Sequence, residues 1–132
     1  MFTTKTEYGM RAMVALAKNK GKKPLSLSQI SKSEHISQSY LERIFVKLKA
    51  DDLVISVRGA AGGYSLTRNP KDINIFEIVE ALEGAVAVFQ CVAVGSKKVT
   101  CFKTKCLTKV VWNEVQKNIV YTLRKFTLAD LI

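Results

Sequence analysis

The chain has 132 residues, 48% of them hydrophobic, which suits one ordered domain with a small appendage and argues against disorder. Its formal charge is +10, from 21 Lys and Arg against 11 Asp and Glu, so a polyanionic partner is expected, nucleic acid being the simplest. No apolar run reaches the roughly 18 residues of a membrane span, and the opening MFTTKTEYG lacks the pattern of a signal peptide; a cytoplasmic protein without membrane contact is the expectation.

The first predicted helix starts at Thr4, with Glu7 at the capping-box position and Met10, Met13, Val14 and Ala17 along one face. A basic loop with Lys18, Lys20, Lys22 and Lys23 follows, a solvated connection that in a DNA-binding domain also meets phosphates. Ser26 and Gln29 then form a capping box for a short helix whose apolar face is Leu27 and Ile30. After a polar turn at Ser33, Glu34 and His35, either Ser37 or Ser39 caps the next helix, Ser39 having Glu42 at capping-box distance. Leu41, Ile44, Phe45 and Leu48 commit one side of that helix to a core. Ser37, Gln38, Ser39, Tyr40, Glu42, Arg43 and Lys47 are left at its start or outside.

Beyond Asp52 the period shifts to that of a strand. Two runs, Leu53 to Arg58 and Tyr64 to Arg68, flank Gly59, Ala60, Ala61, Gly62 and Gly63, a turn where glycines allow positive φ and close approach to another surface. A short helix, a turn, a polar-faced helix and a ribbon with Arg58 at its base make a winged helix-turn-helix, whose second helix fits a DNA major groove. Asn69 to Asp72 form a turn. Asn74 and Glu77 cap a further helix, with Ile75, Ile78, Val79 and Leu82 inward and Gly84 as its stop.

From Ala85 to Trp112 there is no acidic residue, but there are five lysines and every cysteine of the chain: Cys91, Cys101 and Cys106. An odd number of cysteines in a reducing compartment points to thiols or metal ligands rather than disulfides. A last helix, about Leu107 to Phe126, would span roughly 30 Å at about 1.5 Å per residue. Its broad apolar set, Val111, Trp112, Val115, Ile119, Val120, Leu123 and Phe126, is most economically covered by a second subunit, because two-fold dimers read two half-sites. The expected architecture is mainly α with a small β-hairpin wing, divided into a winged helix-turn-helix over residues 1–84 and a cysteine-bearing loop with a dimerisation helix over 85–132.

The runs ISQSYLERIFVKL, LVISVRGAAGGYSL and CLTKVVW, with TEYGMRAMVALA at the start and TLADLI at the end, resemble the Rrf2 family of bacterial winged-helix transcription regulators over essentially the whole chain. The resemblance implies a homodimer on palindromic promoter sites in double-stranded DNA. It places Ser37, Ser39, Tyr40, Glu42 and Arg43 of the recognition helix, with Arg58 and Gly59 of the wing, against that DNA. The chemistry agrees: Arg43 donates to guanine or phosphate, Glu42 accepts from cytosine N4, and the serines bond phosphate oxygens near a helix N-terminus. Against these stand a capping role for Glu42 and a surface salt bridge for Arg58.

Several members carry an iron–sulfur cluster on three cysteines, which assigns Cys91, Cys101 and Cys106 as ligands of a cluster, 2Fe–2S rather than 4Fe–4S. Nearby lysines would lower the thiol pKa values and offset the cluster's charge. The first cysteine gap is longer than is usual in the family. Lys109 stands where the family's CLTH has a histidine ligand, and an ammonium cannot bind iron. The fourth position is then open or filled from elsewhere: Glu7 is one candidate, on the precedent of a carboxylate there in some relatives, and His35 is another, though its place in the turn favours an exposed, uninvolved imidazole. The function expected is a DNA-binding regulator, acting as a repressor, whose affinity is set by the cluster. The alternatives are a cluster-free regulator switched by thiol oxidation or a partner protein, and a basic RNA-binding winged helix. One histidine, no evident pair of catalytic carboxylates and no phosphate-binding glycine loop leave an enzyme the least favoured class.

Overall fold

The computed structural model describes residues 2–93 and 106–132. Three helices open the chain: α1 (Thr4–Lys18), α2 (Leu27–Glu34) and α3 (Gln38–Ala50). A ribbon of β1 (Val54–Val57) and β2 (Gly63–Leu66) follows, then α4 (Ile75–Glu83) and, after a short 3₁₀ turn at Gln90–Val92, the long helix α5 (Lys109–Lys125). The ribbon is antiparallel, with Val54 opposite Leu66 and Val57 opposite Gly63. Both strands are shorter than the runs read from the sequence, and β2 begins one residue earlier, at Gly63. Leu25 adds a further rung by exchanging two backbone hydrogen bonds with Tyr64, 3.1 and 2.7 Å long. That approach requires Gly63, since a Cβ there would collide with the Leu25 backbone.

Caps fix where the helices begin. Ser26 and Gln29 close one capping box, Asn74 and Glu77 another, both as their spacing predicts. The first helix is capped by Thr3 instead of Thr4: the Thr3 hydroxyl accepts from the Lys5 amide. It also donates to Glu83 Oε1 at 2.6 Å. Glu7 is consequently released from any cap and lies exposed on the first turn.

The core is built where these elements meet. Phe45, Leu41, Ile44 and Leu48 on α3 are buried together with Met13 on α1, Ile30 on α2, and Ile78 and Leu82 on α4. The inner stripe of α1 is rotated from the sequence reading. Ala12 and Leu16 are buried, whereas Met10 and Val14 are only half-buried, because the helix packs along its small residues. At Gly9 a Cβ would strike Leu82, so this glycine sets how closely α1 and α4 approach.

After α5 the chain returns to this core. Phe126 O accepts from the Ile75 amide at 2.9 Å, the Leu128 amide donates to Ile73 O at 3.0 Å, and Leu128 is fully buried. The guanidinium of Arg124 lies over the Phe76 ring, 4.5 Å from its centroid, and holds the end of α5 to α4. At the middle of α5, Gln116 is buried and bonds a loop the apolar pattern had not connected to it: its amide donates to Val86 O at 2.6 Å and its carbonyl accepts from the Val88 amide at 2.9 Å. The rest of α5 is less covered. Val110 and Val111 are 75% and 58% exposed and Tyr121 is 67% exposed.

Candidate nucleic-acid interface

The outer side of α3 is polar from its first residue. Ser37 is the cap, accepting from the Tyr40 amide at 3.2 Å, and its hydroxyl lies 2.9 Å from that of Ser39. Ser39 is therefore inside the helix, which removes the capping role from Glu42. Glu42 and Arg43 are both exposed, and neither makes a hydrogen bond or ion pair among the described residues. Tyr40 differs from them: it is half-buried, its ring meeting that of Tyr8 edge-on at 5.5 Å.

The wing follows α3 after a turn in which Asp52 has φ 57°. Lys49 on α3 donates to the Ser56 hydroxyl at 3.0 Å, which couples the ribbon to the helix. Arg58 is exposed at the end of β1. The ion pairs among the described residues, Arg11 with Glu34 and Arg68 with Glu77, do not include it, so the surface salt bridge weighed against its DNA role is not formed. Gly59 beside it has φ 117°, a conformation that L side chains rarely adopt.

A pair that the sequence reading did not connect, Arg11 and Glu34, ties α1 to the end of α2. Arg11 on α1 donates to both the carboxylate and the backbone carbonyl of Glu34, the last residue of α2. Its guanidinium also lies 5.7 Å from the Tyr8 ring centroid. The next residue, His35, turns the chain toward α3 with φ 55°, in the left-handed region, and is exposed. The signal for this network is three-dimensional, since Arg11 and Glu34 are 23 positions apart.

Of the expected cluster ligands, Cys91 lies half-buried in the turn Gln90–Val92, which packs on α5. Cys106 is half-buried just before α5, its Sγ 3.1 Å from the Thr108 hydroxyl. Phe89 and Trp112 join the two segments, their rings meeting edge-on at 4.9 Å. Cys101 lies outside the described residues, and among the described residues no three His, Cys, Asp or Glu side chains are grouped to hold a metal ion. Thiols are the donors an iron–sulfur cluster takes, and both described ones lie on segments adjoining α5: Cys91 in a turn packed on it and Cys106 just before its start.

A capped helix, a left-handed turn, a polar-faced helix and a glycine-tipped ribbon define a winged helix-turn-helix transcriptional regulator. The model of one family, Rrf2, described as an iron-dependent transcriptional regulator, matches residues 2–132, and the chain belongs to that family. It is 38% identical over 132 residues to the HTH-type transcriptional regulator IscR of Cereibacter sphaeroides, a match covering 98% of this chain and 85% of the relative. Among solved structures it is similar to T. potens IscR, with a TM-score of 0.80 and 36% identity over 99% of this chain and 85% of that one. It is also similar to CymR, the global cysteine regulator of B. subtilis, with a TM-score of 0.84 and 32% identity over 99% of this chain and 95% of that one. The family and these relatives are transcriptional regulators, not enzymes.

Proposed function

We propose that the protein represses transcription as a homodimer on palindromic promoter sites, with the polar face of α3 in the major groove and the wing alongside. The observation that carries this reading is the state of Glu42 and Arg43, exposed and without a partner among the described residues, on the helix that a winged helix-turn-helix inserts into DNA. Ser37, Ser39, Tyr40, Arg58 and Gly59 complete the surface. The exposed valines of α5 support the dimer, and residues 85–132 then form a unit of cysteine-bearing loop and dimerisation helix beside the DNA-binding residues 1–84.

Cys91, Cys101 and Cys106 are proposed to hold an iron–sulfur cluster, 2Fe–2S in type, with Glu7 as the fourth ligand. The match to an iron-dependent family and the likeness to IscR support this reading. A second reading, a thiol or partner-protein switch without a cluster, takes its support from two half-buried cysteines and a fold as close to CymR as to IscR.

The test is selection of duplexes from a random-sequence pool by anaerobically purified protein, with iron and sulfide analysed on the same sample. A palindromic consensus bound more tightly than matched RNA, by protein containing iron and sulfide, is the expected result. Preference for RNA would overturn the DNA reading. A palindrome bound with equal affinity by metal-free protein would leave the thiol switch.

A further inference from the structure

Between the start of α1 and one side of α3 lies a groove of about 440 Å³ to which no role has been given above. Lys5, Arg43 and Lys47 line it over a floor of Ile44 and Leu82, and no carboxylate is among its lining residues. Arg43 and Lys47 are one helical turn apart on α3, so they project to the same side. Lys47 is steadied by donating to Leu82 O at 3.1 Å, while Arg43 has no partner among the described residues. Glu83, whose carboxylate is held by the Thr3 amide and by the Thr3 and Thr6 hydroxyls, lies outside the lining and offsets part of the Lys5 charge. With three cations and no anion in the lining, the groove still keeps a net cationic rim.

We propose that this groove seats one backbone phosphate of the DNA, held by Lys5 and Lys47, with Arg43 at the border between the phosphate and the base edges. The proposal rests on the reading that α3 faces DNA. Charge complementarity selects the occupant, and continuity selects its source: Tyr40 and Arg43 line the groove and also belong to the proposed recognition surface. A phosphate contact fixes the register of the helix without reading sequence, which gives it a signature different from that of a base contact.

The full-length protein is titrated with two labelled duplexes, one of random sequence and one selected as above, over a range of salt concentrations. Replacing both lysines, Lys5→Gln with Lys47→Gln, is expected to lower the slope of log affinity against log salt by about 0.9, the contribution of one phosphate. It should weaken both duplexes by the same factor, and Lys5→Arg with Lys47→Arg should restore the slope. Thermal melting identifies any loss of fold, in which case Lys5→Gln alone, which leaves the Lys47 bond to Leu82 intact, is read in its place. An unchanged slope overturns the phosphate seat, as does weakening confined to the selected duplex or an equal fall in Lys117→Gln on exposed α5. If the wild-type protein binds neither duplex, it is the reading of α3 as the DNA face that falls.

Discussion

Arg11 holds Glu34 at two points, carboxylate and backbone carbonyl, one residue before the left-handed turn at His35. The carbonyls that end a helix lack intrahelical partners, and here a cation from α1 satisfies one of them. Both side chains are partly exposed, 40% and 28%, so the ion pair itself contributes little and the bond to the carbonyl contributes more. Arg11→Ala is expected to lower stability by about 1 kcal/mol in urea unfolding. It should weaken DNA binding beyond that, because α2 and α3 lose their fixed angle. Arg11→Lys, with a cation but no planar fork, should fall between. A mutant with wild-type affinity would show that the turn holds its angle without Arg11.

A pH effect follows from Glu83. Burial raises its carboxyl more than any other single influence, but the hydrogen bonds from Thr3 and Thr6, with the charge of Lys5, outweigh it together and bring the pKa from 4.5 to about 2. The folded value lies below the unfolded one, so the carboxylate's contribution is complete above about pH 4.5 and is lost as pH falls toward 2. Melting temperatures between those limits should drop more in the wild type than in Glu83→Gln. Parallel curves would mean the clamp between α1 and α4 is not governed by this group.

Much of the fold was legible because its signals are local. Ser26 with Gln29 and Asn74 with Glu77 are capping boxes within four residues, and the stripe Leu41, Ile44, Phe45, Leu48 lies on one helix. What escaped depends on tertiary neighbours. Leu82 dictates a small residue at position 9 and so turns the buried stripe of α1 toward Ala12 and Leu16. Gln116 is polar in an apolar pattern and is nevertheless buried, because the carbonyl of Val86 and the amide of Val88 meet it from a segment 28 to 30 positions away. At the candidate site, the choice between Ser37 and Ser39 as cap, which decides whether Glu42 is available, required the backbone.

For DNA recognition, Arg43→Ala and Arg58→Ala should each cost about 1–3 kcal/mol of binding where the side chain reads a base, with the dimer intact. Glu42→Ala should relax the preference at a cytosine more than it lowers affinity for random duplex. Fluorescence anisotropy on the selected palindrome and its single-base variants measures both. Full affinity in both arginine mutants would displace the interface from α3 and the wing.

The dimer is best probed away from the core. Ile119 and Leu123 pack partly against their own domain, so a charge at either would disturb folding as well as association. Val111 and Tyr121 are exposed on α5 and offer a cleaner test. If α5 is the interface, Val111→Asp and Tyr121→Asp bury an unpaired charge on association but not on folding. Light scattering should then show a monomer with an unchanged thermal melt. A wild-type protein that is monomeric at micromolar concentration would remove the two-half-site argument.

The cysteines should act as one unit, and the placement of Cys91 and Cys106 sets them apart from Glu7. Cys91 and Cys106 stand on two segments that α5 and the Phe89–Trp112 contact hold in place, so loss of either thiol removes a fixed donor. On the proposed cluster three thiolates would leave one position, which the ammonium of Lys109 could not supply. Under the same proposal a carboxylate from exposed Glu7, of the same subunit or the other, would be a weaker and replaceable donor. Under anaerobic reconstitution, Cys91→Ala, Cys101→Ala and Cys106→Ala should each lose bound iron and visible absorbance together. Glu7→Ala should retain part of the cluster with an altered spectrum, and His35→Ala should match the wild type. If the wild type takes up no iron and sulfide, or all three cysteine variants keep its spectrum, the cluster assignment fails. Oxidation-dependent DNA affinity of the metal-free protein then becomes the property to measure.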